Sequence, residues 1–155
     1  MAQTYFDDLN AILLAWGDNV ANRIKTNLDN TGTTASGRTR DSITVEVADG
    51  ELTIYGRPYF QGVEEGRGAG KVPYNFTDIL YKWMQDKGIA AEFGSTEAKQ
   101  RSAAFVIGKF IEQHGTKLYR DGGREDIYTN VFEEELPKLE EEIRIKVVDS
   151  ILRNI

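Results

Sequence analysis

Between Glu65 and Pro73 the chain reads EGRGAGKVP, glycines beside a lysine, which is the raw material of a phosphate cradle. In such a cradle, backbone N–H groups and a lysine hold the phosphates, and the spacing G-x-x-x-x-G-K-S/T puts them in place. Counting back from Gly70-Lys71, the first glycine belongs at position 65, where the chain has Glu65, and Val72 stands where Ser or Thr is needed. Gly66, Gly68 and Gly70 also miss the G-x-G-x-x-G spacing of a dinucleotide site. Nucleotide binding is therefore not expected, and no cofactor is. The composition points instead to a flexible cationic arm over 65–73, carrying Arg67 and Lys71, that orders on contact with a neighbour.

The acids are the second candidate for chemistry. Residues 125–142 hold eight of them (Glu125, Asp126, Glu133, Glu134, Glu135, Glu140, Glu141, Glu142) against one base, Lys138. Paired carboxylates can act as general acid and base or hold a divalent ion. On a helix with an apolar stripe, the same spacing makes the solvated face. His114 is the only histidine. It falls in the last turn of a helix, where a positive charge favours the helix dipole. One histidine makes no His-based metal site. The absence of cysteine excludes disulfides, thiol nucleophiles and thiolate metal sites. No catalytic residue and no metal-ligand set is expected.

The charge is uneven in a way that suits contacts. Residues 99–124 hold six bases (Lys99, Arg101, Lys109, Lys117, Arg120, Arg124) against Glu112 and Asp121. Segregation of this kind suits electrostatic matching between copies or partners, or two solvated faces. The net charge of −6 argues against a dedicated DNA-binding domain. At 155 residues and 40% hydrophobic content, the chain has the size and apolar share of one domain, 1–155. Its longest apolar runs, such as AILLAW, fall far short of the about 20 residues of a membrane span. The opening MAQTYFDDLN has acids where a signal peptide is basic, so secretion is not expected; synthesis in the cytosol is.

The elements that must position these residues follow from periodicity. Leu9, Ile12, Leu13, Trp16, Val20, Ile24 and Leu28 recur at helical steps, predicting a helix over 4–28 with Thr4 as N-cap. Gly17 inside it marks a bend or a close contact. Ile43, Val45 and Val47 alternate with Thr44, Glu46 and Ala48, then Asp49-Gly50 supplies a type I′ turn, and Leu52 and Ile54 alternate in a return strand. Two strands alone are marginal, so a further strand is expected from 57–63 or from another copy of the chain. A helix over 75–88 follows, capped by Asn75 or Thr77, with Phe76, Ile79, Leu80, Trp83 and Met84 as its core face. A helix over 96–114, capped by Ser95 or Thr96, carries small residues at 103, 104 and 108 that permit close approach. Residues 125–155 read as helical, broken or kinked at Pro137, with Leu139, Ile143, Val147, Ile151 and Ile155 as a stripe and Glu140–Arg144 and Glu142–Lys146 as ion pairs. The fold class expected is α+β. An antiparallel sheet on a central hairpin (about 42–56, with a strand near 57–63) packs against an N-terminal helix and several C-terminal helices.

The run Gly37-Arg38-Thr39-Arg40-Asp41-Ser42-Ile43, followed by a strand and a D-G turn, resembles the G-R/T-L/T-R/K-x-S-I opening of a family of tailed-bacteriophage neck proteins. These are the head–tail joining, tail-completion or minor tail proteins. Tyr59, Glu64 and Gly66 match the family's Y-x-x-x-x-E-x-G. GKVPYNFTDILYKWMQDKGI resembles a proline-plus-helix insertion, and FVIGKFIEQHGTKLYRDG the helix after it. The match covers roughly Ser36 to Arg120. It departs at Arg67, where Thr is usual, and in the long helical end. The resemblance implies a structural virion protein without catalytic residues. Several copies would form a ring between capsid portal and tail, or at the head-proximal end of the tail tube. Its partners would be itself and portal, adaptor or tail-tube proteins, with DNA only as passing cargo and no membrane. Subunit contacts are then expected at Arg38, Arg40, Tyr59, Glu64, Gly66, Arg67, Gly68, Gly70, Lys71, Arg120, Arg124, Glu133 and Glu134. The alternatives are a non-virion interaction or regulatory module on the same fold, and an enzyme built on Glu and Asp.

Overall fold

A computed structural model describes residues 2–155. The chain gathers into two compact units, one of residues up to Thr31, Thr39–Pro58 and Glu125–Ile155, the other of Gly32–Arg38 and Tyr59–Arg124. The α+β expectation holds, with a two-stranded antiparallel sheet and seven α-helices among the described residues.

The first unit is two long helices and the hairpin. Helix α1 (Ala2–Asn30) starts before Thr4, so that threonine lies inside the helix instead of capping it. A short helix α2 (Arg38–Asp41) leads into strands β1 (Thr44–Ala48) and β2 (Glu51–Tyr55). The long helix α7 (Thr129–Arg153) closes the unit. Leu13, Trp16, Val20, Ala21, Ile24 and Leu28 of α1 are buried together with Ile43, Ile127, Val131 and Leu139. That is the predicted stripe of α1, with Leu9 and Ile12 half-buried at its end. Asp49 and Gly50 sit at φ 51° and 78°, as a type I′ turn requires. Gly17 explains how the hairpin can lie on α1. A Cβ there would come within 2.7 Å of Val45 Cγ1 and 2.8 Å of Leu52 Cδ1.

Of the two outcomes expected at Pro137, a break or a kink, the break does not occur: α7 runs through the proline. Its missing N–H removes one rung of the helical ladder. Packing on α1 outweighs that loss, because α7 is tied to α1 on both sides of the proline. Before it, the indole Nε1–H of Trp16 donates to the Glu135 carbonyl (2.9 Å); after it, Lys146 pairs with Asp8 at 2.5 Å.

The second unit is built on α4 (Phe76–Asp86) and α5 (Glu97–His114), with short helices α3 (Gly62–Glu65) and α6 (Lys117–Arg120) and a 3₁₀ turn at Ala90–Phe93. Met84 and Ala104 are its fully buried side chains. Gly108 lets α5 approach α4, since a Cβ there would stand 3.3 Å from both Leu80 and Phe76. Thr96 caps α5 by accepting from the Lys99 N–H, as expected, whereas Asn75 precedes α4 without a side-chain bond.

Two expectations are corrected here. Residues 57–63 form no strand: Pro58 brings no N–H, Tyr59 takes φ 66° and its carbonyl accepts from Gly62, so the chain turns into α3. Trp83 is not core but 41% exposed, as is Ile79 at 45%. Helix α4 packs mainly along α5, with the 3₁₀ turn at its end, and Met84 takes the buried place.

Candidate functional site

The hairpin is the first candidate. Its register pairs Thr44 with Tyr55, Val45 with Ile54, Glu46 with Thr53, Val47 with Leu52 and Ala48 with Glu51. A two-residue turn makes the flanking pair, Ala48–Glu51, the hydrogen-bonded one, and hydrogen-bonded pairs then alternate. The N–H and C=O groups of Val45 and Val47 therefore point out of the β1 edge, and those of Leu52 and Ile54 out of the β2 edge. Among the described residues no further strand pairs with either. The side chains of these four residues are half-buried, on the face covered by α1, while Thr44, Glu46 and Ala48 are exposed on the other. Asn10 Oδ1 accepts from the Gly50 N–H at 2.8 Å and fixes the turn end to α1. The Tyr55 hydroxyl stands above its ordinary pKa, chiefly through a hydrogen bond to Glu46. A sheet of this kind offers backbone pairing on two sides.

The second candidate is the glycine-rich segment, and the structure changes its character. Segment 65–73 is not a free arm. Arg67 and Thr116 are doubly joined: the Arg67 N–H donates to Thr116 Oγ1 (3.0 Å) and the Thr116 N–H to the Arg67 carbonyl (2.8 Å). Gly70 N–H donates to the Glu112 carbonyl, and Arg124 N–H to that of Glu64, both at 2.9 Å. Two glycines make this fit possible. Gly66 (φ 74°, ψ −169°) and Gly115 (φ 79°, ψ 175°) take a conformation nearly closed to other residues. A Cβ at Gly66 would stand 2.5 Å from the Tyr119 nitrogen, and one at Gly115 2.7 Å from the Arg67 carbonyl.

The expected contact residues fall into three groups. Glu64, Gly66, Arg67, Gly68, Gly70, Arg120 and Arg124 lie in or beside this internal junction. Glu64 is buried, Gly68 faces the Tyr119 ring, and the Arg67 guanidinium is used within the unit, donating to the Lys71 carbonyl at 2.7 Å and lying 5.6 Å from the Phe76 ring centre. Arg120 lies over the Phe110 ring at 4.9 Å. A second group is held by ion pairs or local bonds: Arg40 with Asp29 and Asp41, Glu134 with Arg23, and Arg38 with the Ser36 hydroxyl. The third is exposed: Tyr59 at 92%, Lys71 and Glu133. Among the described residues no three acids or histidines come together as a metal-ion cage.

A polar link between α1 and α7 escaped the sequence reading. Arg23 reaches Glu134 and Glu135, each at 2.6 Å. Burial pushes the Glu135 carboxyl up, but hydrogen bonds from Arg23 and Lys138 outweigh it and hold the group below the usual carboxylate range. The only signal was that Arg23 stands seven residues, two helical turns, beyond Trp16. The ion pairs expected within α7 also resolve differently: Arg144 bonds Glu141, and Lys146 leaves the helix for Asp8. His114 keeps to its helix end, with Nδ1 3.2 Å from the Phe110 carbonyl and its ring stacked on Phe110.

No family model, curated protein or solved structure matches the chain.

No helix among the described residues is long and apolar enough to cross a membrane. What the geometry offers is surface: two open strand edges, exposed aromatics and a charge division between the units. The first unit carries 17 acids against 8 bases, and the second 8 acids against 11 bases.

Proposed function

We propose that the chain is a structural subunit of a tailed bacteriophage, built into an oligomeric ring at the head–tail connector or tail-completion position, with no catalytic role. The observation that carries this reading is the hairpin. It is a two-stranded sheet backed by α1, with Val45, Val47, Leu52 and Ile54 presenting backbone groups at its edges. Two strands are a marginal sheet, and strands from neighbouring copies complete it. The resemblance of Gly37–Ile43, of Tyr59, Glu64 and Gly66, and of the helices after them supplies the setting. Contacts that run head to tail close into a ring when their rotation allows it. The partners are then further copies and the portal, adaptor or tail-tube proteins at either end, with the assembled protein residing in the virion neck or tail.

Electron microscopy of the purified chain, alone and with particles of the virus that encodes it, tests this. Rings are expected, and a Val47→Pro variant, which lacks the outward N–H of the β1 edge, should remain folded by circular dichroism yet form none. A chain that stays monomeric at every concentration and never travels with particles would sink the reading.

A further inference from the structure

We infer that the last three turns of α7 are a self-association seam, pairing in parallel and in register with α7 of a second copy of this chain. The inner side of α7 is already occupied: Leu139 is buried, and Ile143 and Val147, one and two turns on, are half-buried on the side from which Lys146 reaches Asp8 of α1. A second stripe runs along the opposite side. Ile145, Val148 and Leu152 are 51, 44 and 61% exposed, and Ile155, just past the helix end, is 93% exposed. The three helical members are spaced three and four residues apart, the a–d–a order of a coiled-coil seam, and Ile155 follows three residues on from Leu152 where the chain leaves the helix. Scattered exposed aliphatics are ordinary on a protein surface, but three in heptad register on a helix with its other face packed are not.

The flanking charges select the partner and its direction. With Ile145 as an a position, Arg144 is the preceding g and Asp149 the following e. In a parallel in-register pair, g of one helix meets the next e of the other, so Arg144 faces Asp149 of the second copy, twice by symmetry. An antiparallel pair would instead bring the two Asp149 carboxylates together. Arg144 is well exposed and bonded only to its own neighbour Glu141, and Asp149 has no ion pair among the described residues. The helix is already formed by packing on α1, so pairing does not bear the cost of ordering it. This contact uses no hairpin residue and does not rest on the ring: loss of rings in Val47→Pro leaves it standing.

Sedimentation velocity of the full chain at tens of micromolar, combined with disulfide trapping, is the test; the lack of native cysteine gives a blank background. In the Val47→Pro background, where ring contacts are removed, the expected result is a species heavier than the monomer, returned to monomer mass by Val148→Lys with Leu152→Lys while the melting profile is kept. Ile145→Cys and Ile155→Cys should each cross-link to themselves on mild oxidation. Arg144→Asp should weaken association severalfold, and Asp149→Arg in the same chain should restore it. A monomeric parent chain overturns the seam, as does association untouched by the lysine pair. Cross-linking only between Ile145→Cys and Ile155→Cys chains in a mixture, or an Arg144→Asp chain that associates like the parent, overturns the parallel register.

Discussion

Glu135 is a buried carboxylate kept charged by its neighbours, and this gives the first unit an acid sensitivity of known sign. Its folded pKa lies below the unfolded one, through Arg23 and Lys138 working against burial. Such a group stabilises the fold at pH above the ordinary carboxylate range, and the contribution is lost as pH falls through the lower, folded value. Thermal melts taken from neutral to acid pH should show this loss, and Glu135→Gln should melt lower at neutral pH with a flatter profile. A variant profile parallel to that of the parent chain would remove Glu135 as the cause. Gly17 offers a second residue-scale test. Alanine there gains about 1 kcal/mol of helix propensity. It also drives a methyl against Val45, whose β-branched side chain cannot turn aside, at an overpacking cost of about 1–3 kcal/mol. Gly17→Ala should therefore lower the urea midpoint, and a raised midpoint would show that the hairpin yields. The close approach was legible in the sequence as a glycine inside a good apolar stripe; its partners, Val45 and Leu52, were not, because they come from strands some thirty residues away.

Among the elements, α1 and the hairpin were legible because their patterns are local: a 3.6-residue stripe, strict alternation and an Asp-Gly turn. Segment 57–73 was not. Its glycines read as freedom, whereas Gly66 and Gly115 buy the one backbone path by which residues 64–70 bond to 112–124, a pairing far apart in sequence. Gly66→Ala should cost about 1–3 kcal/mol by chemical denaturation, since its backbone conformation is nearly closed to alanine. A free arm would give no loss. The stripe of α4 misled differently. Its period was right, but a period cannot say how much of a face finds a partner, and α5 covers Met84 while leaving Trp83 at 41% exposure. Trp83→Ala should thus cost about 1–2 kcal/mol, below the about 3–5 kcal/mol of a fully buried aromatic. A loss in the upper range would require a partner over Trp83. The same limit hid the outer stripe of α7, Ile145, Val148 and Leu152, and left Ile151, expected on the inner stripe, 56% exposed.

At the scale of the whole molecule the net charge of −6 conceals a division, −9 on the first unit and +3 on the second. If copies meet by opposite charge, association should weaken as ionic strength rises from tens of millimolar to half-molar, because exposed charges are screened beyond about 10 Å at 0.1 M salt. Light scattering across that range measures it. Association strengthened by salt would mark apolar seams as the dominant contact. Pro137 has a consequence of another kind. Lacking an amide hydrogen, it can carry no deuterium, and it leaves the Glu133 carbonyl without its helical donor. In exchange-labelling experiments α7 should thus report as two protection segments with a silent position between them. The outer segment, tied to α1 through Lys146, would keep its own clock, and any slowing of that clock on concentrating the protein would time the arrival of a second helix.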